Sequence, residues 1–101
     1  MKKETGFESD VKQAISSTEV PKIYSNGFIV FRSNSDTGIV LQHNGQPAGV
    51  VSMSFTTAKS LMIKLGDVIR EFEELVETEI LTIDEINRKT KREANDDKII
   101  K

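Results

Sequence analysis

Residues 39–51, Ile39-Val40-Leu41-Gln42-His43-Asn44-Gly45-Gln46-Pro47-Ala48-Gly49-Val50-Val51, decide the fold. Asn-Gly between two apolar runs is a strong hairpin signal, because a type I′ turn needs two residues at positive φ. With His43 and Gln46 flanking the turn, an unbroken register sets Leu41 opposite Ala48, Ile39 opposite Val50 and Val40 opposite Gly49. Side chains alternate along a strand, so one face is expected to show Ile39, Leu41, Ala48 and Val50. The other shows Val40, Val51, Met53 and Phe55. Neither face is polar, whereas a sheet with one wet side alternates more cleanly.

Upstream, Lys22–Arg32 (KIYSNGFIVFR) reads as a first strand. Phe28 and Val30 fall on one side, Ile29 and Phe31 on the other. Ser25-Asn26-Gly27 implies a bulge there, or a turn that makes Lys22–Tyr24 a strand of its own. Ser33–Gly38, dense in turn formers, is expected to be a loop. Downstream, Ala58, Leu61, Met62, Leu65, Val68, Ile69, Phe72, Leu75 and Val76 recur at i, i+3, i+4, i+7. This predicts a long amphipathic helix over Thr57–Glu77, capped by Thr56 or Thr57. Gly66 lies at the edge of its apolar stripe beside Met62 and Ile69, and reads either as a place where another backbone approaches closely or as a tolerated kink.

These elements predict an α+β fold: an antiparallel sheet of three to four strands, the long helix packed on one face, and a short second helix. Leu61, Leu65, Val68 and Phe72 are expected to meet one sheet face. Residues 21–81 form the single domain. Residues 1–20 are a polar arm, disordered in part or a short helix capped by Ser9 and Asp10 with Val11, Ala14 and Ile15 on one side. Residues 82–101 begin with Thr82-Ile83-Asp84-Glu85, a capping box. They continue as a short helix, with Ile83 and Ile86 on one side, and a polar tail.

The chain has 101 residues, 37% hydrophobic and 30% charged, with a formal net charge of −2 and a pI near 5.4. That balance disfavours binding to nucleic acid or anionic membrane through bulk charge. No apolar run reaches the roughly 18 residues that a membrane span needs. The N-terminus MKKETGFESD lacks the apolar core of a secretory signal. A soluble, cytoplasmic protein is expected. There is no cysteine, hence no disulfide, thiolate nucleophile or sulfur ligand.

Candidate chemistry is sparse. Asp36-Thr37-Gly38 matches the aspartic-protease triplet, but Ser33-Asn34-Ser35 replaces the apolar lead-in and the rest of that fold has no counterpart. A turn aspartate is the better reading. His43 is the only histidine, too few for a transition-metal site. Glu71, Glu73, Glu74, Glu77 and Glu79 line a helix surface without calcium-loop spacing. No catalytic, cofactor-binding or metal residues are assigned. Arg88, Lys89, Lys91 and Arg92 are the candidates for touching nucleic acid, bracketed by Asp84, Glu85, Glu93, Asp96 and Asp97.

Tyr24-Ser25-Asn26-Gly27, the two following apolar strands, Val50-Val51-Ser52-Met53-Ser54, and a helix opening on Ala58-Lys59-Ser60-Leu61 and closing on Glu71-Phe72-Glu73-Glu74 resemble a small prokaryotic family catalogued as a domain of unknown function. The resemblance covers residues 22–76 and implies a fold without an activity. In the order of strands and helices alone, the chain is also similar to SecB-like chaperones. The expected function is a non-enzymatic interaction module or accessory subunit. The expected partner is a second copy, through Ile29, Phe31, Val40, Val51, Met53, Met62, Gly66 and Ile69. Another protein docking on either terminal arm, client binding of a chaperone kind, and nucleic-acid binding through the basic segment are the alternatives.

Overall fold

Asn44 and Gly45 adopt φ of 52° and 82°, the pair of left-handed conformations that a type I′ turn requires. The computed structural model containing them describes the backbone of residues 6–100 and the side chains of residues 6–91. Along the chain lie α1 (Gly6–Ser16), β1 (Gly27–Arg32), β2 (Asp36–His43), β3 (Gln46–Ser54), α2 (Phe55–Val76) and α3 (Ile83–Ile100). The fold is α+β: a three-stranded antiparallel sheet in the order β1-β2-β3, a long helix and a shorter second one. Two compact units, Met1–Ala58 and Lys59–Lys101, divide the chain.

The hairpin register departs from the simple expectation. His43 pairs with Gln46 and Gln42 with Pro47, after which the register shifts. Leu41 then pairs with Gly49, Val40 with Val50, Ile39 with Val51 and Thr37 with Met53. Ala48 is the extra residue of a β-bulge. One added residue turns every later side chain to the opposite face. Val51 and Met53 therefore lie with Phe28, Val30, Ile39 and Leu41, not with Val40 as the unbroken register required. Ile29, Phe31, Val40 and Val50 share the other face. Pro47 has no N–H for the ladder and Gly49 has no side chain, so this end of an edge strand readily breaks step.

Other boundaries also moved. The first strand starts at Gly27, and Lys22–Tyr24 is not a strand. Asp36, Thr37 and Gly38 belong to β2, so the β1–β2 loop is shorter than Ser33–Gly38. The Ser33 hydroxyl accepts from the N–H groups of Ser35 (3.3 Å) and Asp36 (3.1 Å) and holds the tight loop. α1 starts at Gly6, which puts Ser9 and Asp10 inside it, not ahead of it.

Phe55 opens α2 where a strand residue was expected, and the cap is Ser54, ahead of both threonines. Ser54 Oγ accepts from the Thr57 N–H (3.1 Å) and donates to the Thr57 hydroxyl (3.0 Å). α2 ends in a Schellman arrangement: the N–H of Thr78 bonds to the Glu73 carbonyl (3.2 Å) and that of Glu77 to the Glu74 carbonyl (3.4 Å). Glu77 takes the left-handed position at φ 54°. α3 begins as its sequence foretold. The Thr82 N–H donates to Glu85 Oε1 (2.9 Å) and the Glu85 N–H to Thr82 Oγ1 (3.2 Å), a reciprocal capping box.

Candidate interaction surface

Gly38 is the one buried residue among those described, and no hydrophobic side chain among them is buried. A Cβ placed on Gly38 would fall under 3.0 Å from ring atoms of Phe31, its cross-strand partner. Glycine is thus needed for the ring to lie across β2. On the opposite face Ile23 Cδ1 stands 2.9 Å from where a Gly49 Cβ would be, so the segment before β1 folds over the bulge.

Polar contacts hold that segment. Asn26 and the turn residue Asn44 clasp each other: Asn26 Nδ2 donates to Asn44 Oδ1 (2.8 Å), and the Asn44 N–H to Asn26 Oδ1 (2.9 Å). The Asn26 N–H also donates to the Gln42 carbonyl (3.0 Å). Ser25 Oγ bridges the carbonyls of Gly27 (2.7 Å) and Gln42 (3.0 Å). Tyr24 packs edge-on against His43, ring centroids 5.8 Å apart. His43 is therefore a structural neighbour of the turn, and Tyr24-Ser25-Asn26 pins the hairpin by a route that sequence reasoning had not assigned.

The sequence-derived interface residues divide into three groups. Ile29, Phe31 and Val40 share one sheet face; Val51 and Met53 lie on the other. Met62, Gly66 and Ile69 lie along α2. Phe28, Val30 and Val50, not among the candidates, are more open than the sheet residues that were, at 58–64% exposure against 52% for Ile29, 45% for Phe31 and 37% for Val51. A Cβ on Gly66 would meet nothing within 4 Å. On α2, Leu61, Leu65, Val68, Ile69 and Phe72 are all exposed, as is Leu75 at 79%. The stripe has a strict heptad spacing: Ala58, Leu65 and Phe72 at a, Leu61, Val68 and Leu75 at d, and Met62, Ile69 and Val76 at e. A repeat of 3.5 residues is the signature of helix-on-helix packing.

Chemistry-bearing side chains do not converge. Among the described residues, no group of three or more His, Cys, Asp or Glu could hold a metal ion. Asp36 pairs across the sheet with Ser54, and the Thr37 hydroxyl donates to the Phe31 carbonyl (2.9 Å), so the Asp-Thr-Gly triplet is ladder structure. Arg88, Lys89 and Lys91 are exposed on α3, while the Arg92 side chain lies outside the described residues. Glu85 has its carboxyl pKa lowered, first by the Thr82 backbone N–H, then by the Thr82 hydroxyl, with Arg88 adding to the effect. No described helix is long and apolar enough to cross a membrane. No family model, curated protein or solved structure matches the chain.

Proposed function

We propose that this protein is a non-enzymatic interaction module or small accessory subunit, acting in the cytoplasm as a homodimer. The observation that carries the reading is the wholly unburied set of apolar side chains. Fixing a backbone costs about 1–2 kcal/mol per residue, and a backbone hydrogen bond gives back a net of only about 1 kcal/mol. Burial of apolar surface must supply the remainder, and the described single chain buries no hydrophobic side chain. Apolar faces on both sides of the sheet and along α2 give a second copy ample surface to cover.

Light scattering with sedimentation velocity over a concentration series tests this directly. A dimer mass at micromolar concentration is expected, with apolar exposure, followed by dye binding, falling as the dimer forms. A monomer mass at every concentration removes the reading. A second reading rests on the two sheet edges, β1 and β3, each of which pairs with a strand on one side only among the described residues. Such edges accept an extended segment, as a client-binding protein would. Suppression of a model protein's aggregation at substoichiometric amounts separates this role from a closed dimer.

A further inference from the structure

We infer that α2 is the dimer element and that it pairs antiparallel with α2 of a second copy, in one register; this rests on the dimeric reading above. Two observations lead there independently of the sheet.

The first is charge. α2 has no acidic residue in its first turn and no basic residue in its last. Its N-terminal half carries Lys59 and Lys64, and its C-terminal end carries Glu71, Glu73 and Glu74, with Glu77 directly after it; Arg70 is paired to Asp67 within the helix. Both ends oppose the helix dipole, which favours acids at the start and bases at the end. A helix so charged is frustrated by itself and would be doubly so beside a parallel copy. Beside an antiparallel copy, each basic half meets an acidic half and the dipoles oppose.

The second is register. One alignment places every a residue against a d residue: Ala58 with Leu75, Leu65 with Val68, and Phe72 with Leu61 of the second copy. The same alignment puts e beside e, setting Met62 against Ile69 and Phe55 against Val76. On the g flank, Lys64 comes within two residues of level with Glu71. The two-fold axis repeats each pair. No charge meets its like at these positions. In a parallel pair, Lys64 and Glu71 would instead face the apolar e residues Ile69 and Val76.

The absence of cysteine makes the test clean. Single-cysteine chains Ala58→Cys and Leu75→Cys are oxidised separately and mixed, at concentrations where the dimer forms. The antiparallel register links 58 to 75 only in the mixture. Two copies of residue 58 would stand about 26 Å apart along the axis, beyond the roughly 7 Å that a disulfide spans. In parallel, Lys64→Glu and Glu71→Lys should each weaken the dimer roughly tenfold, and the double swap should restore it. Circular dichroism of each variant confirms that helicity is kept. Self-linking of either single-cysteine chain, or a double swap no better than the single changes, overturns the antiparallel α2 pair while the dimer stands. A monomer at all concentrations overturns both.

Discussion

Glu77 occupies a left-handed position, φ 54°, at the residue that ends α2, where helices ordinarily place glycine. A residue with a Cβ is held there at a cost of about 1 kcal/mol, so Glu77→Gly should raise stability by about that amount, read as a higher urea midpoint at unchanged slope. A lower midpoint would mean that the Glu77 side chain has a use that its open position hides. Glu85 shows the opposite economy: its carboxylate accepts the Thr82 N–H while the Thr82 hydroxyl accepts the Glu85 N–H, which closes two donors at the start of α3. Its folded pKa is depressed by the Thr82 N–H and hydroxyl and by Arg88. The stabilisation is therefore complete above the unfolded glutamate value of about 4.3 and disappears as pH falls through the lower folded value. Amide protection near the start of α3, taken relative to the intrinsic exchange rate at each pH, should fall below about pH 4, and Glu85→Gln should flatten that dependence. An unchanged profile in the variant would assign the acid sensitivity to other carboxylates.

Turns and caps, more than propensities, fix the elements. Ser54 ends β3 and starts α2 in one residue, which leaves no linker between strand and helix. Ser54→Ala should cost about 1 kcal/mol of stability. Thr57→Ala should cost less, because its backbone N–H would keep the Ser54 oxygen as acceptor. Equal losses would show that the hydroxyl–hydroxyl bond carries the cap. The Asn-Gly turn, the α2 periodicity and the Thr82–Glu85 box were all legible because each is a local signal with one dominant conformation. The bulge at Ala48 was not, although Pro47 and Gly49 flagged an irregular edge. A single-residue slip changes no local pattern, yet it moves Val51 and Met53 from one face to the other. The Asn26–Asn44 clasp is equally silent in sequence, because it joins residues whose proximity exists only after the hairpin has formed. The apolar pattern of the strands was readable, and the face assignment beyond the bulge was not.

At the scale of the whole molecule, no hydrophobic side chain among the described residues is buried, and the sheet and α2 offer their apolar surface differently. The sheet carries branched and aromatic residues on both faces with no charge pattern to select a mate. α2 adds direction, since its basic half and acidic half can both be satisfied by an antiparallel copy and by no parallel one. Gly66 and Leu65 separate the energetics of the single chain from those of the pair. For a lone helix, replacing glycine by leucine gains nearly 1 kcal/mol of helix propensity, and the space around Gly66 is open in its own chain. Gly66→Leu should therefore raise helicity in dilute solution, where chains are separate. In the proposed pair Gly66 shares the outer b position with Lys59 and Glu73, so a leucine there stays clear of the partner and the dimer should be kept. Leu65, at a and against Val68 of the second copy, is the opposite case. Leu65→Gln keeps helix propensity but places an amide in the seam, so the dimer should dissociate at a concentration roughly tenfold higher than the parent. If Gly66→Leu alone breaks the dimer, or Leu65→Gln leaves it intact, the contact does not run along the a and d residues of α2.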